Sequence, residues 1–257
     1  MNISRPSAFK LGFTLVELLT VIAIIGILAA MLLTVLPAVM KNAKIKKATL
    51  EMVDIVNDIQ SYDLDNGRFP VTKAEQATAG PNDFTTGLIG FGLGTSGAGT
   101  GFSSDNNSNV VAILMDLTIY PNGTPTANTN HVYNAKRVPY LNAKMSGYDP
   151  ATNDPNPPGG VDNSGVYRDP WGNPYIITMN TSYNDQGTSD LLYSLNSVSS
   201  NGSQTGLNGL FNPTYSTNPN NFLYHGKVMV WSAGPDKKYG PVPANSGVNK
   251  DNVISWK

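Results

Sequence analysis

Residues 12–40 read GFTLVELLTVIAIIGILAAMLLTVLPAVM, and the 19 residues from Leu18 to Leu36 contain no charge. As a helix rising ~1.5 Å per residue, that run nearly spans a ~30 Å hydrocarbon core. A core helix of a soluble domain would show a polar face here. Residues 1–12 carry Arg5 and Lys10 and no acid, so the positive-inside rule places them on the cytoplasmic side and the rest of the chain across the membrane. A cleavable secretory signal would have a short apolar region and a small-residue cleavage site, but the apolar residues continue past Ala29-Ala30 to Met40. At the head of the run stands a Gly12-Phe13 junction, with Glu17 four residues after the Phe. A carboxylate near the end of a membrane helix is costly, roughly 2.5–3.5 kcal/mol at the membrane centre as an upper guide, and calls for a partner.

Beyond Met40 the pattern becomes one-sided. Ile45, Ala48, Met52, Ile55, Val56, Ile59 and Tyr62 share one helical face, with Lys46, Lys47, Glu51, Asp54, Asn57, Asp58 and Ser61 opposite. The helix should therefore run from Phe13 to Tyr62, about 50 residues and roughly 75 Å, its second half packed on a soluble domain. Gly26 and Pro37 weaken it, and a kink or melted turn is expected near Pro37. Lys41, Lys44, Lys46 and Lys47 suit lipid headgroups, neighbouring subunits or plain solvent. Asn66-Gly67 and Pro70 end the helix.

Composition narrows the function classes. With 17 basic and 18 acidic residues, a net charge of -1 and no long basic run, nucleic acid is not an expected partner. The chain has no Cys and only two His, His131 and His225, so disulfides, thiolate metal sites and Cys nucleophiles are excluded and His-dependent catalysis is a poor fit. An anchored hydrolase would need paired carboxylates from among Asp149, Asp154, Asp162, Asp185 and Asp190, and nothing in the sequence fixes their spacing. The chain is read as a non-enzyme.

A short helix is expected over Val110–Leu117, capped by Ser108 or Asn109, and strands over 175–179, 191–195, 228–232 and 253–256. The fold class is α+β: a long N-terminal helix, its first half in the membrane, on a small antiparallel sheet. Three stretches, about 87–109, 121–165 and 180–224, are rich in Gly, Asn, Ser and Pro and read as large loop insertions rather than core. Tyr133, Tyr140, Phe211, Tyr215 and Phe222 are available to anchor them.

The Gly12-Phe13 junction, Glu17 and the apolar helix resemble the leader region of type IV pilins and type II secretion pseudopilins. The resemblance implies a pilin-like fold and four parts: leader 1–12, transmembrane and polymerisation helix 13–40, amphipathic continuation and turn 41–70, and a globular domain 71–257 with the insertions. It implies cleavage after Gly12 by a prepilin peptidase, methylation of Phe13, and pairing of Glu17 with a neighbouring subunit's amino terminus. Paired burial of carboxylate and ammonium costs much less than burial of either alone.

Two further runs are similar to the major pseudopilins: Leu64-Asp65-Asn66-Gly67-Arg68-Phe69-Pro70, and Asp169-Pro170-Trp171-Gly172-Asn173-Pro174-Tyr175. The second reads on its own as a structural turn, with prolines bracketing Gly-Asn and Trp171 covering the sheet. The same resemblance implies a calcium-binding carboxyl loop, with Asp236 at its first acidic position and Asp251 and Asn252 near the later ones. Calcium takes six to eight oxygens, whereas Lys237, Lys238 and Lys250 oppose a cation. The alternative is that Asp236 caps a turn and pairs with those lysines.

The implied function is a structural subunit of a pseudopilus-like fibre that drives protein export, held in the bacterial inner membrane with its carboxyl-terminal domain periplasmic until it joins a periplasmic or surface fibre. Implied partners are further copies of the chain, the peptidase, an inner-membrane assembly platform with its ATPase, and minor pseudopilins. A type IV pilin serving adhesion, motility or DNA uptake, and a non-polymerising anchored binding module, are the other two readings.

Overall fold

The computed structural model describes residues 14–79, 83–87, 106–181, 183, 191–192, 223–224, 226–238 and 250–256. Helix α1, Leu15–Asn66, is the first element. It passes through Pro37 without the expected melted turn, since a proline removes one intrahelical hydrogen bond and the helical backbone on either side persists. The chain divides into two units, Met1–Ala43 and Lys44–Lys257.

In the first unit every described side chain is exposed, from Leu15 at 80% to Val39 at 55%. In the second, α1 buries Ala48, Met52, Ile55, Ile59 and Tyr62, with Ile45 and Val56 partly buried beside them. This is the predicted apolar face, and each large side chain on it contributes roughly 1.5–3 kcal/mol by leaving water. The helix ends where Gly67 takes φ +64 and its N–H donates to the Asp63 carbonyl at 2.8 Å; only the Gly adopts the left-handed conformation, while Asn66 stays helical and donates to the Tyr62 carbonyl at 3.0 Å.

Helix α2, Lys73–Ala79, and strand β1, Phe84–Thr86, follow, neither of them foreseen. Helix α3 is Ser108–Leu114. It starts two residues earlier than expected and ends before Leu117, because Asp116 at φ +55 turns the chain. Its N-cap is Asn107, without a side-chain cap bond, rather than Ser108 or Asn109. Strands β2, Gly160–Val161, and β3, Tyr167–Arg168, form an antiparallel pair. Strand β4 is Ile176–Met179, β5 Leu191–Leu192, β6 Leu223–Tyr224, β7 Val228–Ser232 and β8 Val253–Ile254.

The main sheet has the order β1-β4-β7-β8, antiparallel throughout. Its register sets Phe84 against Met179, Ile176 against Trp231 and Trp231 against Ile254. Phe84, Ile177, Met179, Val228, Val230 and Val253 join the α1 face in one core, together with Val110, Val111, Ile113 and Leu114 of α3. Alternation puts Ile176, Thr178, Met229 and Trp231 on the other face of the sheet, where they are buried too. The α+β architecture expected from the sequence is therefore present.

The stretch 121–165 differs from its reading as surface loop. Leu141, Ala143 and Val161 belong to the core, and Asn128 and Asn134 are fully buried. Asn128 accepts from the N–H groups of Tyr133 and Asn134 at 3.1 and 3.0 Å. Asn134 donates to the carbonyls of Ile113 and Val138 at 3.0 and 2.7 Å. Asparagine amides here do the pairing that a strand ladder would otherwise do, so a composition typical of loops fills an ordered interior. Tyr133 and Tyr140 anchor the stretch as expected: the Tyr133 carbonyl accepts from the Tyr62 hydroxyl, and the Tyr140 hydroxyl donates to Asp65 at 2.8 Å. Phe211, Tyr215, Phe222 and most of the other two insertions lie outside the described residues.

Candidate assembly site

The head of α1 is built from one short motif, Thr14-Leu15-Val16-Glu17. Thr14 occupies the N-cap and Glu17 the third helical position. The Thr14 backbone N–H and hydroxyl both donate to Oε2 of Glu17, at 2.8 and 2.7 Å, and the Glu17 N–H donates to the Thr14 hydroxyl oxygen at 3.2 Å. This is a reciprocal capping box, which satisfies amide donors that the first turn would leave open. It also fixes the carboxylate at the positive end of the helix dipole, with Oε1 taking none of these bonds. Thr14 was not singled out in the sequence, although Thr-x-x-Glu ahead of an apolar run is the signature that would have found it. Gly12 and Phe13 lie outside the described residues. Among the described residues, α1 is the one helix long and apolar enough to cross a membrane.

The predicted structural turn at residues 169–174 is a hydrogen-bond hub. Asp169 is fully buried. Its carboxylate accepts from the N–H groups of Trp171 and Asn173 at 2.8 and 2.9 Å, from the Asn173 amide at 2.8 Å, and from the Ser232 hydroxyl. Burial pushes its pKa up, against the lowering effect of those donors. Gly172 sits at φ +92, and a Cβ there would lie 2.4 Å from the Pro157 carbonyl oxygen. Pro170 and Pro174 bracket the turn, Pro174 bridging to Arg168, and Trp171 packs partly buried against the core. Asn173 extends the hub by donating to the Gly234 carbonyl at 2.9 Å, at the start of the carboxyl loop.

That loop brings Asp236 and Asp251 together, the Asp236 N–H donating to Oδ2 of Asp251 at 3.2 Å. Burial first, and the Asp251 charge after it, raise the Asp236 pKa. Oδ1 of Asp236 accepts from the Lys238 N–H at 2.8 Å, the expected turn cap. The expected pairing of Asp236 with a Lys237 ammonium does not occur: that ammonium donates to the Pro155 carbonyl and the Asn156 side chain at 2.7 and 3.0 Å. Asn252 lies next to Asp251, half-buried. Two carboxylates and one amide suit an oxygen-loving cation but fall short of six to eight oxygens. Among the described residues no three His, Cys, Asp or Glu side chains gather as a metal site; residues 239–249 lie outside them.

Those carboxylates considered for hydrolysis that lie among the described residues are engaged in structure. Asp162 is buried and ion-paired to Arg168 at 2.8 Å, while Asp149 and Asp154 cap local turns. Asp185 and Asp190 lie outside the described residues. His131 holds Asp116 through Nδ1 at 2.7 Å, a packing role.

Comparison with known proteins points to the same end of the chain. The prokaryotic N-terminal methylation motif matches residues 9–33. The type II secretion system core protein G of Aeromonas hydrophila is 40% identical over 62 residues, 24% of this chain and 43% of that protein. Its counterpart in Escherichia coli (strain K12) is 39% identical over 68 residues, 26% of this chain and 47% of that one. The type IV wide pilus major component PilA4 of Thermus thermophilus is 42% identical over 69 residues, 27% and 53% of the two chains. The chain thus spans about half the length of the curated relatives it matches. No solved structure matches it. The amino-terminal quarter is type IV pilin-like, similar to both the type II secretion core protein and the type IV pilus component, and it carries a membrane-capable helix.

Proposed function

We propose that this pilin-like chain is a structural, non-enzymatic subunit of a pseudopilus-like fibre that drives protein export by type II secretion. The observation that carries the reading is the capping box at the head of an apolar helical segment whose described residues are all exposed, where Oε1 of Glu17 takes no hydrogen bond among the described residues. A prepilin peptidase cuts after Gly12 and methylates Phe13. Cleavage there leaves the Thr14 amide and hydroxyl intact, so the box survives processing. The subunit waits in the inner membrane with its leader cytoplasmic and its domain periplasmic. Joining the fibre exchanges lipid for the apolar helices of other copies, and Glu17 pairs with a neighbour's amino terminus. An assembly platform with its ATPase and minor pseudopilins are the partners.

Mass spectrometry of the native amino terminus tests the processing: N-methylated Phe13 is expected, and a retained Met1 or a cut near Ala30 overturns it. Glu17→Ala should abolish fibres while membrane insertion persists. The likeness to the Thermus wide pilus component favours a type IV pilus as second reading; loss of surface pili with export intact on deletion of the chain would select it.

We also propose that Asp236, Asp251 and Asn252 contribute to a calcium site in the carboxyl loop, supported by two adjacent carboxylates from which Lys237 turns away. Calorimetric titration of the full chain in detergent with calcium and then chelator should give heat and a rise in melting temperature; neither signal would remove the site.

A further inference from the structure

Where the chain turns from α1 into α2 it leaves a small cavity floored by Phe69 and Val71, both buried. Its walls carry two cations, Arg68 and Lys73, and no acid stands among the described residues that line it. Nη2 of Arg68 donates to the uncharged carbonyls of Val132 and Tyr133 at 3.4 and 3.0 Å, and its guanidinium lies 5.3 Å from the centre of the Tyr133 ring. Lys73 donates its backbone N–H to the Tyr133 hydroxyl at 3.2 Å, which leaves the ammonium unused. Two acids nearby are already satisfied. Asp63 accepts from Lys227 and from the Tyr183 hydroxyl at 2.8 and 2.7 Å, and Glu75 from the Thr72 N–H and the Asn109 amide at 2.7 and 3.0 Å. Among the described residues, therefore, no carboxylate balances the two charges of the cavity. The rim differs in character. Tyr183 is 51% exposed, stacks on Phe69 with ring centres 5.1 Å apart, and is held at φ +53, a conformation costly for a bulky side chain. Gln76, exposed beside it, brings an amide.

We propose that this cavity takes the carboxylate of a uronic acid residue in an acidic polysaccharide. Its volume is about 30 Å³, room for two water-sized groups at roughly 10–15 Å³ each and so for one carboxylate, whereas a whole drug-sized ligand needs about 300 Å³ or more. The carboxylate enters between Arg68 and Lys73 and completes both cations. The sugar ring stays outside, laying its C–H face on the Tyr183 ring and a hydroxyl on the Gln76 amide. An acidic peptide side chain would use the cations and leave ring and amide idle, so the sugar fits the whole rim. All of these residues belong to the second unit, and the site stands whether or not the chain forms a fibre.

Calorimetric titration of the full chain tests this, in calcium-free buffer and a detergent without sugar headgroups. The probe is digalacturonic acid, compared with neutral galactobiose, sodium acetate and a glutamate dipeptide. Digalacturonate should bind roughly tenfold more tightly than each of the other three. Lys73→Gln should weaken it roughly tenfold with the melting temperature unchanged, because the Lys73 ammonium makes no hydrogen bond among the described residues. Gln76→Ala should weaken digalacturonate and leave acetate as it was. No heat at millimolar digalacturonate, or equal binding by Lys73→Gln, removes the site. Galactobiose binding as tightly removes the role of the carboxylate. Acetate binding as tightly, or the dipeptide more so, overturns the polysaccharide in favour of a bare anion hole or a peptide site.

Discussion

Replacing Asp169 should unlock the junction between the 169–174 turn and the carboxyl loop. Its carboxylate serves four donors from three residues, of which Asn173 and Ser232 are buried and Trp171 partly so. In Asp169→Ala the Trp171 and Asn173 N–H groups and the Ser232 hydroxyl lose their acceptor, whereas the Asn173 amide keeps the Gly234 carbonyl. Three stranded donors at about 1–3 kcal/mol each, relieved in part by entering water, give a loss of about 4 kcal/mol. Domains of ordinary stability have about 5–15 kcal/mol in total. Asp169→Asn keeps one carbonyl oxygen for the two N–H groups and turns an amide donor toward Asn173, so it should cost about 2 kcal/mol.

Urea unfolding of the full chain in detergent, followed by tryptophan fluorescence, suits the test because Trp171 lies in the hub and Trp231 precedes Ser232. A pH series adds a sign. Burial raises the Asp169 pKa above its unfolded value, so the fold favours the neutral acid: that contribution is full below the unfolded pKa and is lost as pH rises through the native one. The stability difference between wild type and Asp169→Asn should therefore shrink with rising pH. A loss under about 1 kcal/mol in Asp169→Ala, or a difference independent of pH, would refute the assignment of the hub.

Other positions give sharp expectations. Asp58 is raised to about 6 by burial and by Asp54, so Asp58→Asn should stabilise the subunit above pH ~6, by about 1 kcal/mol once solvent screening is allowed for, and give no gain near pH 4 in the same unfolding assay. Gly234 sits at φ +70 with Asp251 O 2.1 Å from where a Cβ would stand; Gly234→Ala should lower the melting temperature and lower it less in an Asp251 loop deletion. Thr14→Val removes one donor and one acceptor of the capping box, worth about 1 kcal/mol, and should reduce fibre yield, while Thr14→Ser restores it in quantitative electron microscopy.

The parts that the sequence made legible are those with one dominant periodicity. An uncharged run of helical length, the one-sided pattern from Ile45 to Tyr62 and the short apolar run at 228–232 each point to one element, and each is present in the structure. The illegible parts depend on side chains standing in for backbone. Asn107 is fully buried and spends its amide on the Tyr167 and Tyr175 carbonyls at 3.0 and 2.8 Å and its oxygen on the Tyr167 N–H. It thereby ties α3 to β3 and the start of β4. Composition counts such an asparagine as a loop residue, because the partners that make it interior lie 60 and more residues away. Asn128 and Asn134 are buried through nearer partners, 4 to 21 residues away, and composition counts them as loop residues all the same. Strands of two or three residues such as β1, β2 and β3 carry too little alternation to register.

Two capping boxes among the described residues show why the motif alone does not mark function. Thr72 and Glu75 repeat the arrangement at the head of α2: the Thr72 N–H donates to Oε2 of Glu75 at 2.7 Å, and the Glu75 N–H to the Thr72 hydroxyl at 3.1 Å. There the other carboxylate oxygen, Oε1, accepts from Asn109 at 3.0 Å, and the side chain is 4% exposed. Glu75 is closed, its bonding capacity spent inside one domain. Glu17 has the same backbone geometry, but among the described residues Oε1 takes no hydrogen bond and the apolar side chains that follow it are exposed. A carboxylate oxygen left without a donor in an apolar setting is costly, so in a bilayer it calls for a partner other than bulk water. The difference between the two glutamates thus lies in one oxygen atom and its surroundings, and under the function proposed above the ammonium of a second, processed copy would be the complement that supplies both charge and hydrogen bonds.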